Sequence, residues 1–135
     1  KQYSLKGMKI LLAEDNMLNN EIAVTLLEEA GASITSVYDG QEACDTLLAS
    51  PDGYYDVIML DIMMPRMDGL QTAKAIRESG RKESRDIPII AMSANAFEED
   101  IRKSLDAGMN RHLVKPLDMK IVLSAIVHEY HRYRH

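Results

Sequence analysis

The sequence contains no tryptophan, a single phenylalanine and a single cysteine. No apolar run approaches the length that a membrane span requires. A lone Cys44 excludes an internal disulfide framework. It lies between Ala43 and Leu47 in an amphipathic stretch, where a buried, inert thiol is the plain reading. Positive charge is in deficit: 16 Lys and Arg face 21 Asp and Glu, and the net of -5 argues against a general nucleic-acid binder. No charged-then-apolar signal segment opens the chain. With aromatics scarce, Leu, Ile, Val, Ala and nine Met must fill the core. What is present is 135 residues, 46% hydrophobic and 27% charged, which suits one soluble domain. A cytoplasmic protein is the corresponding expectation.

Two kinds of segment alternate along the chain. MKILLA (8–13), SITSV (33–37), YDVIML (55–60), DIPIIAM (86–92) and HLV (112–114) are short apolar runs that suit buried strands. Between them stand stretches of helical spacing. The first carries Leu18, Ile22 and Leu26, with Ala23, Leu27 and Ala30, and stops at Gly31. Asp39 caps a second, which Pro51 and Gly53 end. A third runs from Gly69 to about Gly80, a fourth from Glu98 to Gly108, and a fifth from Met119 to about Tyr130. RKESRD (81–86) reads as a solvated, charged loop. Five continuous apolar strands between five helices predict an α/β fold: a doubly wound parallel sheet covered on both faces.

That fold directs attention to the carboxyl ends of the strands, where open parallel sheets bind ligands. The first strand ends in Glu14, Asp15 and Asn16, the third in Asp61, the fourth in Ser93 and the fifth in Lys115 and Pro116. Each has a bland reading: Asp15 or Asn16 as a helix cap, Ser93 as a turn residue, Lys115 as a surface lysine. Their convergence on one edge makes the bland reading poor. Clustered carboxylates need a compensating cation, and hard oxygen donors without His or Cys favour Mg²⁺, or Mn²⁺, over zinc. Mg²⁺ in such a site commonly completes its shell with water and phosphate oxygens. A carboxylate there can attack phosphorus without a general base, because it is already ionised at neutral pH.

ILLAEDN (10–16), VIMLDIMMPRMDG (57–69), PIIAMSANA (88–96) and HLVKPL (112–117) together resemble a two-component response-regulator receiver domain. The resemblance runs from about Met8 to Tyr130, so residues 1–135 read as a single receiver domain. It implies a flavodoxin-like sheet of order 2-1-3-4-5. It implies that Asp61 is the phosphoacceptor, taking its phosphoryl group from a phosphohistidine in a Mg²⁺-dependent reaction. Asp15 and Asp61 would bind the metal directly, Glu14 through water, and Met63 by its backbone carbonyl. Ser93 would move to the phosphoryl group, Lys115 would pair with it, and Pro116 would follow a cis peptide bond. The implied partners are a sensor histidine kinase or a His-containing phosphotransfer domain. Nucleic-acid or membrane contact is not implied, and the domain would be a monomer or weak dimer that catalyses its own phosphotransfer and dephosphorylation. DN-xx-N-xx-I (15–22) and residues 92–117 look most like receivers of hybrid histidine kinases, which suggests a module of a longer protein.

Three positions depart from the commonest pattern. Glu14 replaces an aspartate, Ser93 replaces the frequent threonine, and His112 stands where a Tyr or Phe often reports the switch. His112 also has a bland reading, as a half-exposed edge residue. A haloacid-dehalogenase-type phosphohydrolase is the alternative, but that class carries a second aspartate where this chain has Met63. A receiver that is never phosphorylated is a third reading, opposed by the intact set of Glu14, Asp15, Asp61, Ser93 and Lys115. His128, His131 and His135 have helical spacing, yet frayed terminal histidines are the commoner explanation. Tyr130 to Arg134 reads as a solvated tail.

Overall fold

The computed structural model describes residues 3–134. Five strands form one parallel sheet: β1 (Lys9–Ala13), β2 (Ser33–Val37), β3 (Val57–Asp61), β4 (Ile89–Ser93) and β5 (Arg111–Val114). Their order is β2-β1-β3-β4-β5, as expected for a doubly wound fold. β3 and β4 are buried along their whole length, because helices cover both faces. One core cluster gathers Leu11, Ile58, Leu60, Ile76 and Ile89 on one face, and another gathers Leu12, Leu27, Met59, Met92 and Ile126 on the other.

The helices are α1 (Met17–Glu29), α2 (Gly40–Ala49), α3 (Gly69–Arg77), α4 (Lys82–Asp86), α5 (Glu98–Asp106) and α6 (Met119–Arg134). Side-chain caps start the first three: Asn16 accepts from the Asn19 amide, Asp39 from Glu42 and Asp68 from Gln71. Asn16, not Asp15, is therefore the cap of α1, which leaves the Asp15 carboxylate for other work.

Among the described residues there are six helices, not five. RKESRD contains the short α4 rather than a solvated loop. Two of its charged residues are engaged by other segments: Arg81 donates to the Leu47 and Ser50 carbonyls, and Glu83 accepts from the Gly53 amide; Lys82, Arg85 and Asp86 remain exposed. Glu83 and Ser84 are consequently buried.

The chain end also differs from expectation. α6 continues to Arg134, which donates to Asp56 at 2.8 Å, while Tyr133 packs against the core. That segment is anchored, not a solvated tail. His128 and His131 lie within α6; His135 lies outside the described residues. Along α1, Leu27 is buried, but Leu18 and Ile22 are 65% and 48% exposed, so this apolar stripe faces outward. No helix among the described residues is long and apolar enough to cross a membrane.

Candidate functional site

The register of the sheet places four strand ends side by side. Ala13 pairs with Leu60, Asp61 with Met92, and Ser93 with Val114. Glu14 and Lys115, each one residue beyond its strand, therefore emerge on the same edge as Asp61. The Glu14 amide donates to the Val37 carbonyl, and the Lys115 amide to the Ser93 carbonyl at 2.7 Å. Both side chains thus leave from fixed backbone.

Glu14 and Asp61 are buried, whereas Asp15 is exposed. One carboxylate oxygen from each of the three can be chosen so that all lie within 4.8 Å of one another. Lys115 Nζ donates to Glu14 Oε1 at 2.9 Å and to Asp61 Oδ2 at 3.1 Å. The remaining oxygens face backbone amides: Asn16 donates to Glu14 Oε2 and Met63 to Asp61 Oδ1. The Met63 side chain points into solvent. The Lys115–Pro116 peptide is cis, as the resemblance implies.

Three negative charges meet one ammonium group here, and the electrostatics reflect the imbalance. Burial and the neighbouring Glu14 push the Asp61 carboxyl up to about 6, against the opposing pull of Lys115. Burial also opposes ionisation of Glu14, but Lys115 and the Asn16 amide outweigh it and hold that carboxyl below its ordinary value. Burial works against the charge on Lys115 too; the two carboxylates prevail and raise it. All donors are oxygens, the set a hard divalent cation prefers.

Ser93 is buried, and its Oγ accepts from the Asn95 amide at 3.0 Å. His112 is half-buried, with both ring nitrogens within 2.8 Å of a polar atom. Sequence reasoning missed three supports of the site. Asn20 is buried on α1 and donates to the Glu14 and Val37 carbonyls, tying the helix to the ends of β1 and β2. Arg66, at a left-handed φ of 64°, donates through Nε to Asp39 at 2.9 Å and so pins the loop after Asp61 to the start of α2. Gly69 packs against the Asp61 backbone, where a Cβ would stand 2.5 Å from the Asp61 carbonyl oxygen. The doubled Asn19–Asn20 in a helix was the one visible hint among these.

Residues 10–127 match the response regulator receiver domain. Histidine kinase 1 of Arabidopsis thaliana is 35% identical over 93% of this chain, and hybrid signal transduction histidine kinase I of Dictyostelium discoideum is 39% identical over 87%. The chain spans only 13% and 7% of those two proteins. Among solved structures, the receiver domain of the Pseudomonas aeruginosa sensor histidine kinase PA1611 is 33% identical, with a TM-score of 0.82 over 93% of this chain and 98% of that one. That structure has a magnesium ion coordinated in its active-site cleft. The receiver domain of the Francisella response regulator 1452 is 30% identical, with the same TM-score and the same two coverages. These comparisons lend no support to the haloacid-dehalogenase alternative. The relatives are kinases that carry such a module, the neighbours are isolated examples of it, and this chain belongs to the response regulator receiver domain family.

Proposed function

We propose that Asp61 is the residue that accepts the phosphoryl group of this two-component receiver. The observation that carries the reading is Lys115 Nζ bonded to both Glu14 and Asp61, with Asp15 in reach of both carboxylates. A pair of buried carboxylates and one ammonium leave negative charge for a divalent cation to neutralise, so the residues fit a magnesium site. Asp15 and Asp61 would hold Mg²⁺ directly, Glu14 through water and Met63 through its carbonyl; Mn²⁺ has the same donor preference. When bound, the ion would offset the charge of the incoming phosphoryl oxygens.

An Asp61 oxygen attacks the phosphorus of a phosphohistidine. The P–N bond breaks, and its electron pair returns to the imidazole. Lys115 exchanges its contact with Asp61 for the phosphoryl oxygens, and the Ser93 hydroxyl donates to another. Water later hydrolyses the aspartyl phosphate. Met63 and Asn95 flank the site, and the thioether of Met63 cannot orient that water by hydrogen bonding, so autodephosphorylation is not unusually fast; a phosphoprotein lifetime of seconds would contradict this.

The donor is a histidine kinase or a His-containing phosphotransfer domain. Beside Lys115 runs a cleft of about 500 Å³, lined by Ile22, Ala23, Leu26, Leu117 and Met119. Together with exposed Leu18 it offers an apolar helix a seat next to Asp61. On the other side of the site, α5 is the element placed to respond. Phe97 and Leu105 are 73% and 51% exposed, so little apolar contact holds it. Incubation with acetyl phosphate and Mg²⁺ followed by intact mass tests the reading. One added phosphoryl group, absent in Asp61→Asn or with chelator, is expected; labelling that persists in Asp61→Asn would refute it.

A further inference from the structure

At the end of the sheet opposite Asp61, a cavity of about 350 Å³ opens among α3, α4 and the last turn of α6. Pro88 and Asn110, each just before its strand, line it, so it sits at the amino-terminal edge of β4 and β5. Three arginines reach it from three helices: Arg77, Arg85 and Arg132. Arg77 is half-buried and held in place. Its Nε and Nη2 donate to the Gly108 carbonyl at 3.0 and 2.8 Å, Nη2 donates also to Asn110 Oδ1 at 3.0 Å, and Nη1 to the Ser84 carbonyl at 3.1 Å. Every one of these acceptors is neutral. A guanidinium has five N–H donors, and these four contacts leave one on Nη1 unused. Among the described residues neither Arg77 nor exposed Arg85 forms an ion pair with a carboxylate. Burial pulls the Arg77 guanidinium below its ordinary value, and nearby Asp86 does not reverse the pull. Arg132 donates to Glu129 at 2.7 Å, but Glu129 is shared with Arg111. Four guanidinium groups thus gather with only two carboxylates, Glu129 and Asp86, in a chain whose net charge is -5.

We propose that this cavity is a second ligand site, in which Arg77, Arg85 and Arg132 bind a small anion carrying a phosphoryl group. A partly buried cation without a counter-ion is costly, and an anion in the cavity supplies the missing charge. The choice of anion follows from the number of forks. A carboxylate has one charge and two oxygens in a plane, which a single guanidinium satisfies. A phosphoryl group has nearly two charges and three oxygens pointing apart, which suits guanidiniums arriving from three directions. The volume lies within the range of small-molecule pockets and leaves room beyond the phosphoryl group for the rest of a small ester. Asp86 is the opposing element, a carboxylate in the cavity wall that weakens binding of any anion. The site does not depend on Asp61 or on a metal, because the length of the sheet separates them.

The experiment titrates ¹⁵N-labelled protein with inorganic phosphate, glycerol phosphate and acetate, at constant ionic strength and with chelator present. Phosphate should give saturable shifts at the Arg85 Nε and at the Asn110 and Tyr133 amides, with a dissociation constant of about 1 mM or tighter. Signals of Asp61 and Lys115 should stay in place. Arg77 itself is a poor probe, since it braces the turn from α5 into β5. Arg85 is exposed and makes no ion pair, so Arg85→Ala should fold normally and bind phosphate about tenfold more weakly. Asp86→Asn should bind it more tightly. Lys82→Ala removes the same charge from the same helix outside the cavity and should bind like the parent. Tighter binding of glycerol phosphate than of phosphate assigns the site to an ester; the reverse assigns it to the free ion, and both uphold the proposal. Shifts that fail to saturate, an equal loss in Lys82→Ala and Arg85→Ala, or acetate binding as tightly as phosphate would each overturn it. None of these outcomes bears on the phosphoacceptor reading.

Discussion

Lys115 reaches Asp61 across an intervening strand: the lysine leaves the end of β5, the aspartate ends β3, and β4 lies between them. The lysine leaves from fixed backbone, because its amide donates to the Ser93 carbonyl. Glu14, from the neighbouring β1, shares the same ammonium group. One cation thus balances two buried carboxylates contributed by different strands, and this balance sets the behaviour of the site.

Removing that ammonium group should cost stability. Lys115→Ala leaves Glu14 and Asp61 buried without their shared partner. Breaking a buried pair from one side is unfavourable, and partial exposure of the lysine moderates the loss to about 1–3 kcal/mol at neutral pH. Added Mg²⁺ should restore part of it, because an ion that binds only the folded state stabilises by mass action. Urea unfolding with and without Mg²⁺ measures both; a variant as stable as the parent without metal would contradict the balance.

Asp61 itself should be a source of instability. Its carboxyl is raised from the ordinary value of 3.8 to about 6 by burial and Glu14. The folded state therefore binds the proton more tightly than the unfolded state. The favourable contribution of Asp61 is complete below its ordinary value and is lost as pH rises through about 6. Without metal, Asp61→Asn should be more stable than the parent by about 1–3 kcal/mol near pH 7.5, with the difference shrinking toward pH 4. Thermal unfolding across that range, in chelator, checks the sign; a variant less stable at neutral pH would reverse it.

Gly69 should be intolerant of a side chain for a reason local to the site. A Cβ there would meet the Asp61 carbonyl oxygen at 2.5 Å and Ile62 Cα at 2.9 Å, both backbone atoms that cannot swing aside. Gly69→Ala should cost about 1–3 kcal/mol through overpacking. It should also slow labelling by acetyl phosphate, because relief must come from moving Asp61. Normal labelling in a destabilised variant would show that the strain relaxes away from the site.

Much of this arrangement was legible in the sequence, and the reason is geometric. Strand ends follow from where apolar runs stop, and parallel topology then brings Glu14, Asp61, Ser93 and Lys115 to one edge. Interactions between distant segments were not legible. Arg66 and Asp39 meet across 27 positions, and Arg81 finds the end of α2 across more than 30. Charged residues that look solvated in sequence thus built α4 and anchored α6. Periodicity located α1 but reports apolar spacing only, and not which of two adjoining stripes meets the sheet. Ala23, Val24 and Leu27 pack inward while Leu18 and Ile22 face out. His112 was legible as an unusual residue, but the two partners of its ring were not.

The central claim is that Asp61 carries the phosphoryl group. Borohydride reduces an acyl phosphate to an alcohol and converts the aspartate bearing it to homoserine. Protein treated with acetyl phosphate and Mg²⁺, reduced, digested and mapped by mass spectrometry should contain homoserine at position 61, and none when Mg²⁺ is withheld. Homoserine at Asp15 or another carboxylate, or its absence from a protein that has taken up phosphate, would contradict the account.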